Sequence, residues 1–135
     1  MYKAVLVEND IELGKRILTA LDSARILVTG ALWLYAPQIE EWHLIIATPL
    51  VDQKGNRSAF MTVWHILKRY NLLDPAPLRR IFLVSSHDDL IATLRRAYGP
   101  PHFPSEFRLT AAYFGNLSIE DAYIYRLAPF QPHVK

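Results

Sequence analysis

The stretch from Arg25 to Tyr35 constrains the fold more than any other part of the chain. After Arg25, the residues Ile-Leu-Val-Thr-Gly-Ala-Leu-Trp-Leu-Tyr place apolar side chains on both alternating faces. Such a strand has to be covered on each side, because apolar surface is unfavourable in water. We therefore predict a central strand here, in a sheet with helices packed on it.

The rest of the pattern predicts the elements around that strand. Apolar residues at helical spacing indicate helices, and alternating runs bounded by turn residues indicate strands. In chain order, we predict a helix over 8–24, strands over 25–35 and 42–48, a helix from 56 or 58 to 70, a strand over 80–85, a helix over 90–98, and strands over 107–114 and 117–127. Residues 49–55, 102–106 and 128–135 are predicted to be irregular.

This α-β-β-α-β-α-β-β order predicts an α/β (α+β) fold with a mixed five-stranded sheet and helices packed on it. The two hairpins supply antiparallel pairs. The helical crossover between the second and third strands permits a parallel pair.

Length and composition limit the class of protein. The 135 residues, 51% hydrophobic and 21% charged, are typical of one globular domain, and we predict a single domain over 1–135. No window approaches the roughly 20 apolar residues that cross a bilayer, and the first residues do not form a cleavable leader. Since the chain also contains no cysteine, we expect no membrane association and a reducing, cytoplasmic location.

Eight of the 15 lysine and arginine residues form four separate pairs, in a chain of net charge +2. Such pairs are typical of the solvated faces of helices. If three of them converged in space, they would form a phosphate-binding stripe, so nucleic-acid binding stays open as an alternative. The pairs are Lys15-Arg16, Lys68-Arg69, Arg79-Arg80 and Arg95-Arg96.

Ser86, His87 and Asp88 directly follow a predicted strand, where α/β folds often bind ligands. Neighbours in one turn rarely surround a reacting atom as a catalytic triad does, and no nucleophile-elbow motif is present. The favoured interpretation is helix capping by Ser86 or Asp88, and the alternative is an anion or metal subsite.

Asp52 and Lys54, after the second strand, resemble the acid-x-lysine element of metal-dependent nucleases. Glu40 or Glu41 would then supply a second carboxylate for Mg²⁺. That pattern needs its pair on a strand, whereas the neighbouring proline and glycine favour a turn. Because the histidines lack ligand spacing and the glycines match no phosphate loop, we expect neither a metal site nor a cofactor.

Aromatic residues on the predicted strands offer a third kind of site. Trp42, Tyr113, Tyr123 and Tyr125 are candidates for an interface, since tyrosine and tryptophan are favoured at dimer faces. Core packing explains them equally simply, and stacking of nucleic-acid bases is the alternative.

Two segments carry a resemblance. Residues 42–52 read Trp-His-Leu-Ile-Ile-Ala-Thr-Pro-Leu-Val-Asp, and residues 119–127 read Ile-Glu-Asp-Ala-Tyr-Ile-Tyr-Arg-Leu. Together they resemble a group of short uncharacterised bacterial proteins, with a likeness that extends over most of the chain. The resemblance implies a bacterial domain of this size and assigns no reaction.

Our first hypothesis is a noncatalytic bacterial binding or assembly domain that forms a homodimer through an aromatic sheet edge or a helix face. The second is a metal-dependent nuclease, or another phosphoryl-chemistry enzyme, at Asp52 and Lys54. The third is a nucleic-acid-binding module that uses the arginine pairs and the strand aromatics.

Overall fold

The computed structural model describes residues 5–74, 76, 78–99 and 106–128. It contains one five-stranded sheet and four α-helices, which confirms the predicted fold class. The helices are α1 (Glu8–Ser23), α2 (Pro49–Lys54), α3 (Asn56–Arg69) and α4 (Asp89–Tyr98); the strands are β1 (Gly30–Ala36), β2 (Glu41–Ala47), β3 (Ile81–Val84), β4 (Phe107–Phe114) and β5 (Leu117–Leu127). The irregular segments predicted over 102–106 and 128–135 lie outside the described residues, except for Glu106 and Ala128.

The strands lie in the order β3-β2-β1-β5-β4, so β1 is the central strand that its two apolar faces predict. Strands β2 and β3 are parallel, and the other neighbouring pairs are antiparallel. Strand β1 begins at Gly30 rather than near Arg25, because Arg25 has the left-handed φ of 65° that ends α1. The N–H of Ile26 bonds Leu21 O across that turn, which is the hydrogen bond of a Schellman motif.

The helices cover both faces of the sheet. Helices α1 and α3 pack on one face, and α4 packs on the other. The first core includes Ile17, Leu21, Val63 and Leu67 of the helices against Trp33, Leu44 and Ile46 of the sheet. The second includes Ile91 and Leu94 against Leu32, Ile124 and Leu127.

Helix α2 corrects the prediction of a loop over 49–55. The hydroxyl of Thr48 accepts the N–H of Leu50 at 3.2 Å, so a side-chain cap starts the helix. Pro49 occupies the first turn, where its missing N–H costs nothing. The helix ends at Lys54, since Gly55 has a φ of 84° that separates α2 from α3.

Helix α1 is attached to the sheet through a buried tryptophan and a tyrosine. The indole N–H of Trp33 donates to the hydroxyl of Tyr125 at 2.9 Å, and that hydroxyl donates to Ile11 O at 2.7 Å. Tyr125 is an additional residue in β5, because the pairing with β1 shifts by one between Ala31 and Leu32. Gly14 of α1 leaves the space that the tyrosine hydroxyl fills, since a Cβ there would overlap it.

The Gly14→Ala variant should lower the free energy of unfolding by about 1–3 kcal/mol, as expected when a packed site is overfilled. Without this contact, alanine inside a helix would raise stability by about 1 kcal/mol. Urea unfolding followed by tryptophan fluorescence measures the difference. Tyr125→Phe removes the atom nearest the new Cβ, so the loss in the double variant should be smaller than the sum of the two single losses. A more stable single variant would contradict the close contact.

The tyrosines of β5 should make the protein sensitive to alkali. Burial raises the pKa of Tyr123 to about 12, aided by its hydrogen bond to Glu106, and burial also raises the pKa of Tyr125. Both pKa values are higher folded than unfolded, where a tyrosine titrates near pH 10. Stability should therefore be fully present below about pH 10 and fall as the pH rises towards about 12.

Urea unfolding at a series of pH values measures this loss. The Tyr123→Phe variant should show a shallower decline, whereas Tyr113→Phe, at an exposed tyrosine, should decline like the parent protein. Equal slopes in all three proteins would exclude the mechanism.

Candidate functional site

The chain changes faces of the sheet at the carboxyl ends of β2 and β3. These strands are parallel neighbours, but the chain leaves β2 for α3 on one face and leaves β3 for α4 on the other. In open α/β sheets, such a switch point is where ligands commonly bind. The predicted cluster at Ser86 to Asp88 lies at this end of β3, and Asp52 lies just after β2.

Ser86 and Asp88 have structural partners at the switch point. Ser86 is buried, and its hydroxyl accepts from the hydroxyl of Thr29 at 2.9 Å. The Arg95 guanidinium donates to Ser86 O at 3.3 Å and to Ala128 O at 2.8 Å. Asp88 is the N-cap of α4, accepting the N–H of Leu90 at 3.0 Å. The capping interpretation is confirmed for Asp88, whereas Ser86 belongs to the packed interior.

His87 is exposed, and its backbone N–H donates to the hydroxyl of Ser85 at 3.0 Å. The same hydroxyl donates to Asp52 Oδ1 at 2.7 Å. Through these two hydrogen bonds, Ser85 connects α2 to the turn that precedes α4. The interactions at this end of the sheet connect its helices to one another.

The residues proposed for a nuclease centre are not brought together. Asp52 lies on α2 rather than in the expected turn, and Lys54 donates to Thr62 Oγ1 at 3.3 Å. Glu40 and Glu41 lie at the opposite end of β2, about 20 Å away along seven strand residues at ~3.3 Å each. Within the described residues, no group of three histidine or acidic side chains is arranged to hold a metal ion.

Glu41 instead belongs to a surface ion pair. Arg79 Nη1 lies 3.2 Å from Glu41 Oε2, and His43 Nε2 lies 3.4 Å from Glu41 Oε1. These hydrogen bonds, chiefly the one from Arg79, lower the pKa of Glu41 from its ordinary value. The carboxylate therefore stays ionised beside its cation rather than serving as a proton donor.

The interface candidates have different environments. Trp42 and Tyr125 lie in the core, with exposed fractions of 2% and 7%, so little of either ring is accessible to a partner. Tyr123 is half-buried, and its hydroxyl donates to Glu106 at 2.7 Å. Tyr113, on β4, is 73% exposed and can reach a partner. Trp42 and Tyr125 are covered because helices bury the sheet on both faces.

Strand β3 forms an open edge that the sequence did not reveal. Val84 O points toward β2, where it accepts the N–H of Thr48 at 3.0 Å. Backbone groups of successive strand residues point in opposite directions, so those of Ile81 and Leu83 point away from the sheet. The side-chain amide of Asn56 donates to Leu83 O at 3.0 Å, which agrees with this orientation.

A groove of about 360 Å³ follows this edge, between β3 and the first half of α3. Met61 and Phe60 line it from α3, and Met61 is 46% exposed. Phe82, 42% exposed, borders it at the strand edge, but its ring lies on the other face of the sheet, because its neighbours Ile81 and Leu83 pack with α3. The ring of Phe82 packs on His43 with centroids 4.5 Å apart. The lining contains one charged residue, Arg57. An unpaired strand edge next to apolar side chains is the arrangement that accepts an added strand.

The sequence signal for this groove is weak. The run Ile-Phe-Leu-Val over 81–84 reads as a strand buried on both faces, and only its position at the sheet edge exposes Phe82. Met61 stands on the polar side of an amphipathic helix, where one apolar residue is ordinary.

Comparison with protein-family models, with curated proteins and with solved structures found no match. Among the described residues, no helix has the length and apolar character that crossing a membrane requires.

The Asp88→Ala variant should lower the free energy of unfolding by about 1 kcal/mol, because the N–H of Leu90 loses its cap. Asp88→Ser is the matched control, since serine also caps helices and should retain most of the stability. Both changes are measured by urea unfolding. If Asp88→Ala had no effect, its role as the cap of α4 would be refuted.

Proposed function

We propose that this protein is a noncatalytic assembly domain that forms a homodimer by pairing the β3 edges of two copies. The observation that carries the proposal is the open edge of β3 beside Met61 and Phe82. Monomeric proteins usually cover or charge such an edge. Here it lies in a groove with one cation and several apolar side chains.

Pairing about a two-fold axis at Phe82 fits the directions of the backbone groups. In an antiparallel pair centred there, Ile81 of one copy lies opposite Leu83 of the other. These are the residues whose N–H and C=O groups point outward, so each such pair can exchange two hydrogen bonds. The two Phe82 rings would meet directly across the strands, and aromatic cross-strand pairs are stabilising.

The other sheet edge is less suited to pairing. Strand β4 is longer, with eight residues, but Ala111 in its middle has a left-handed φ of 50°. Arg108 on the same strand is held by Asp121 through hydrogen bonds of 2.7 and 2.9 Å. A distorted strand with a charged side chain is a common way of blocking edge association. This supports β3 over β4 as the interface.

The shortness of β3 limits the expected affinity of the dimer. Four residues of β3 give few backbone hydrogen bonds, and the apolar contacts of the groove must supply most of the affinity. We expect a reversible dimer that dissociates on dilution. A bacterial origin and a cytoplasmic location complete the proposal; the latter is supported by the absence of cysteine.

Light scattering coupled to size exclusion tests the dimer. At high micromolar concentration, the parent protein should have twice the mass of one chain, and the Phe82→Glu and Met61→Glu variants should have the mass of one chain. Placing a carboxylate in an apolar interface costs free energy unless it is paired, which is the reason for the loss. Circular dichroism verifies that the variants are folded.

Tyr113→Glu is the matched control, because it places the same charge on an exposed aromatic of the other edge strand. It should remain dimeric. A monomeric parent protein at high micromolar concentration would refute the proposal. Dissociation by Tyr113→Glu with retention of the dimer in Phe82→Glu would move the interface to β4.

A further inference from the structure

A second groove lies at the opposite end of α3 from the β3 edge. It has a volume of about 430 Å³ and runs between α1 and the end of α3. Its floor contains the apolar side chains Ala20 and Leu72, and Tyr70 is its aromatic member, 40% exposed. Lys15 and Arg16 stand on its α1 side.

One of the four cation pairs lines this groove, and a second lies next to it in the chain, with the ammonium of Lys68 5.4 Å from the centroid of the Trp64 ring. Lys15 and Arg16 line it directly, and Lys68 and Arg69 immediately precede Tyr70 in the last turn of α3. The two pairs lie on α1 and α3, which pack side by side on one face of the sheet. Within the part of the chain that the structure describes, Arg16 and Arg69 have no ion-pair or hydrogen-bond partner.

The cations of the other two pairs have internal contacts. Arg79 is paired with Glu41, and the Arg80 guanidinium donates to Trp42 O at 3.3 Å. Arg95 holds two backbone carbonyls, as described above. Arg96 remains on the surface of α4, 3.4 Å from Thr93 Oγ1. Of the four cation pairs, the one on α1 lines a groove with an exposed aromatic ring, that of Tyr70.

We propose that this groove binds single-stranded nucleic acid. A base stacks on Tyr70 over the apolar floor, while the flanking phosphates contact Arg16 and Arg69. Aromatic rings next to basic side chains are the usual means by which proteins hold unpaired strands. Lys15 joins them by exchanging its partner Glu106, 3.5 Å away, for a phosphate.

The acidic member of the lining supports a base rather than a phosphate inside the groove. Glu12 lies there with Lys15 and Arg16. A carboxylate repels a phosphate, but it accepts hydrogen bonds from the amino groups of bases. The phosphates accordingly belong outside, on the two basic rims, and the neutral base belongs within.

Fluorescence anisotropy with labelled oligodeoxycytidylate and oligocytidylate, whose bases carry an amino group, tests the proposal at several salt concentrations. With Lys15, Arg16 and Arg69 contacting phosphates, the slope of log K against log salt should be about −2, at ~0.7 for each contact on a single strand. Binding of either probe supports the site, and the tighter one identifies whether DNA or RNA is preferred. A duplex of the same length should bind more weakly because its bases are stacked.

The variants separate stacking from charge. Tyr70→Ala should weaken binding by about 5- to 100-fold with an unchanged salt slope, and Tyr70→Phe should restore it, because stacking does not release counterions. Arg16→Ala should make the slope shallower by about 0.7. Arg96→Ala removes the same charge from α4 and should change affinity little.

Three results would overturn the proposal. They are no anisotropy change at low salt, equal loss in Arg96→Ala and Arg16→Ala, or full affinity in Tyr70→Ala. The site does not depend on the dimer, since nine residues separate Met61 in the β3 groove from Tyr70, about 14 Å at 1.5 Å per residue. The monomeric Phe82→Glu variant should therefore retain binding.

Discussion

Burial of β1 on both faces is the constraint on which the rest of the structure depends. Trp33 and Leu32 are successive residues, and both are fully buried, one under α1 and α3 and the other under α4. One layer of helices cannot cover both side chains. The chain must therefore cross from one face to the other, and it does so through β3, which it enters from α3 and leaves for α4. Ser85, Ser86 and Asp88 make the hydrogen bonds that stabilise the segment between β3 and α4.

The sequence predicted the elements that have a strong local pattern. The three longer helices and all five strands are present, and β1 is central because its apolar faces require it. The tight turn at Gly115 and Asn116 joins β4 to β5 as its dipeptide suggests. Local periodicity is reliable in these places because burial selects the same side chains that the pattern shows.

Features that depend on distant partners were not predictable. Helix α2 is six residues long and is capped by Thr48, a residue that the pattern assigns to a strand. The core positions of Trp42 and Tyr125 follow from strand order, which no local pattern contains. For the same reason, the short run at β3 gave no sign that Phe82 lies at an edge. The candidate sites are thus products of tertiary arrangement, and no compact motif marks them.

The amide of Asn56 gives the β3 edge an unusual property. By donating to Leu83 O, it supplies one hydrogen bond that a neighbouring strand would otherwise make. A lone chain therefore does not carry a vacant acceptor at that carbonyl, and a rotation of one side chain is enough to make room for a backbone donor. Exchanging a hydrogen bond from a side-chain amide for one from a backbone amide changes the free energy little. In the dimer that we propose, Leu83 O would thus have a donor both in the lone chain and in the pair, and concentration would decide between the two states.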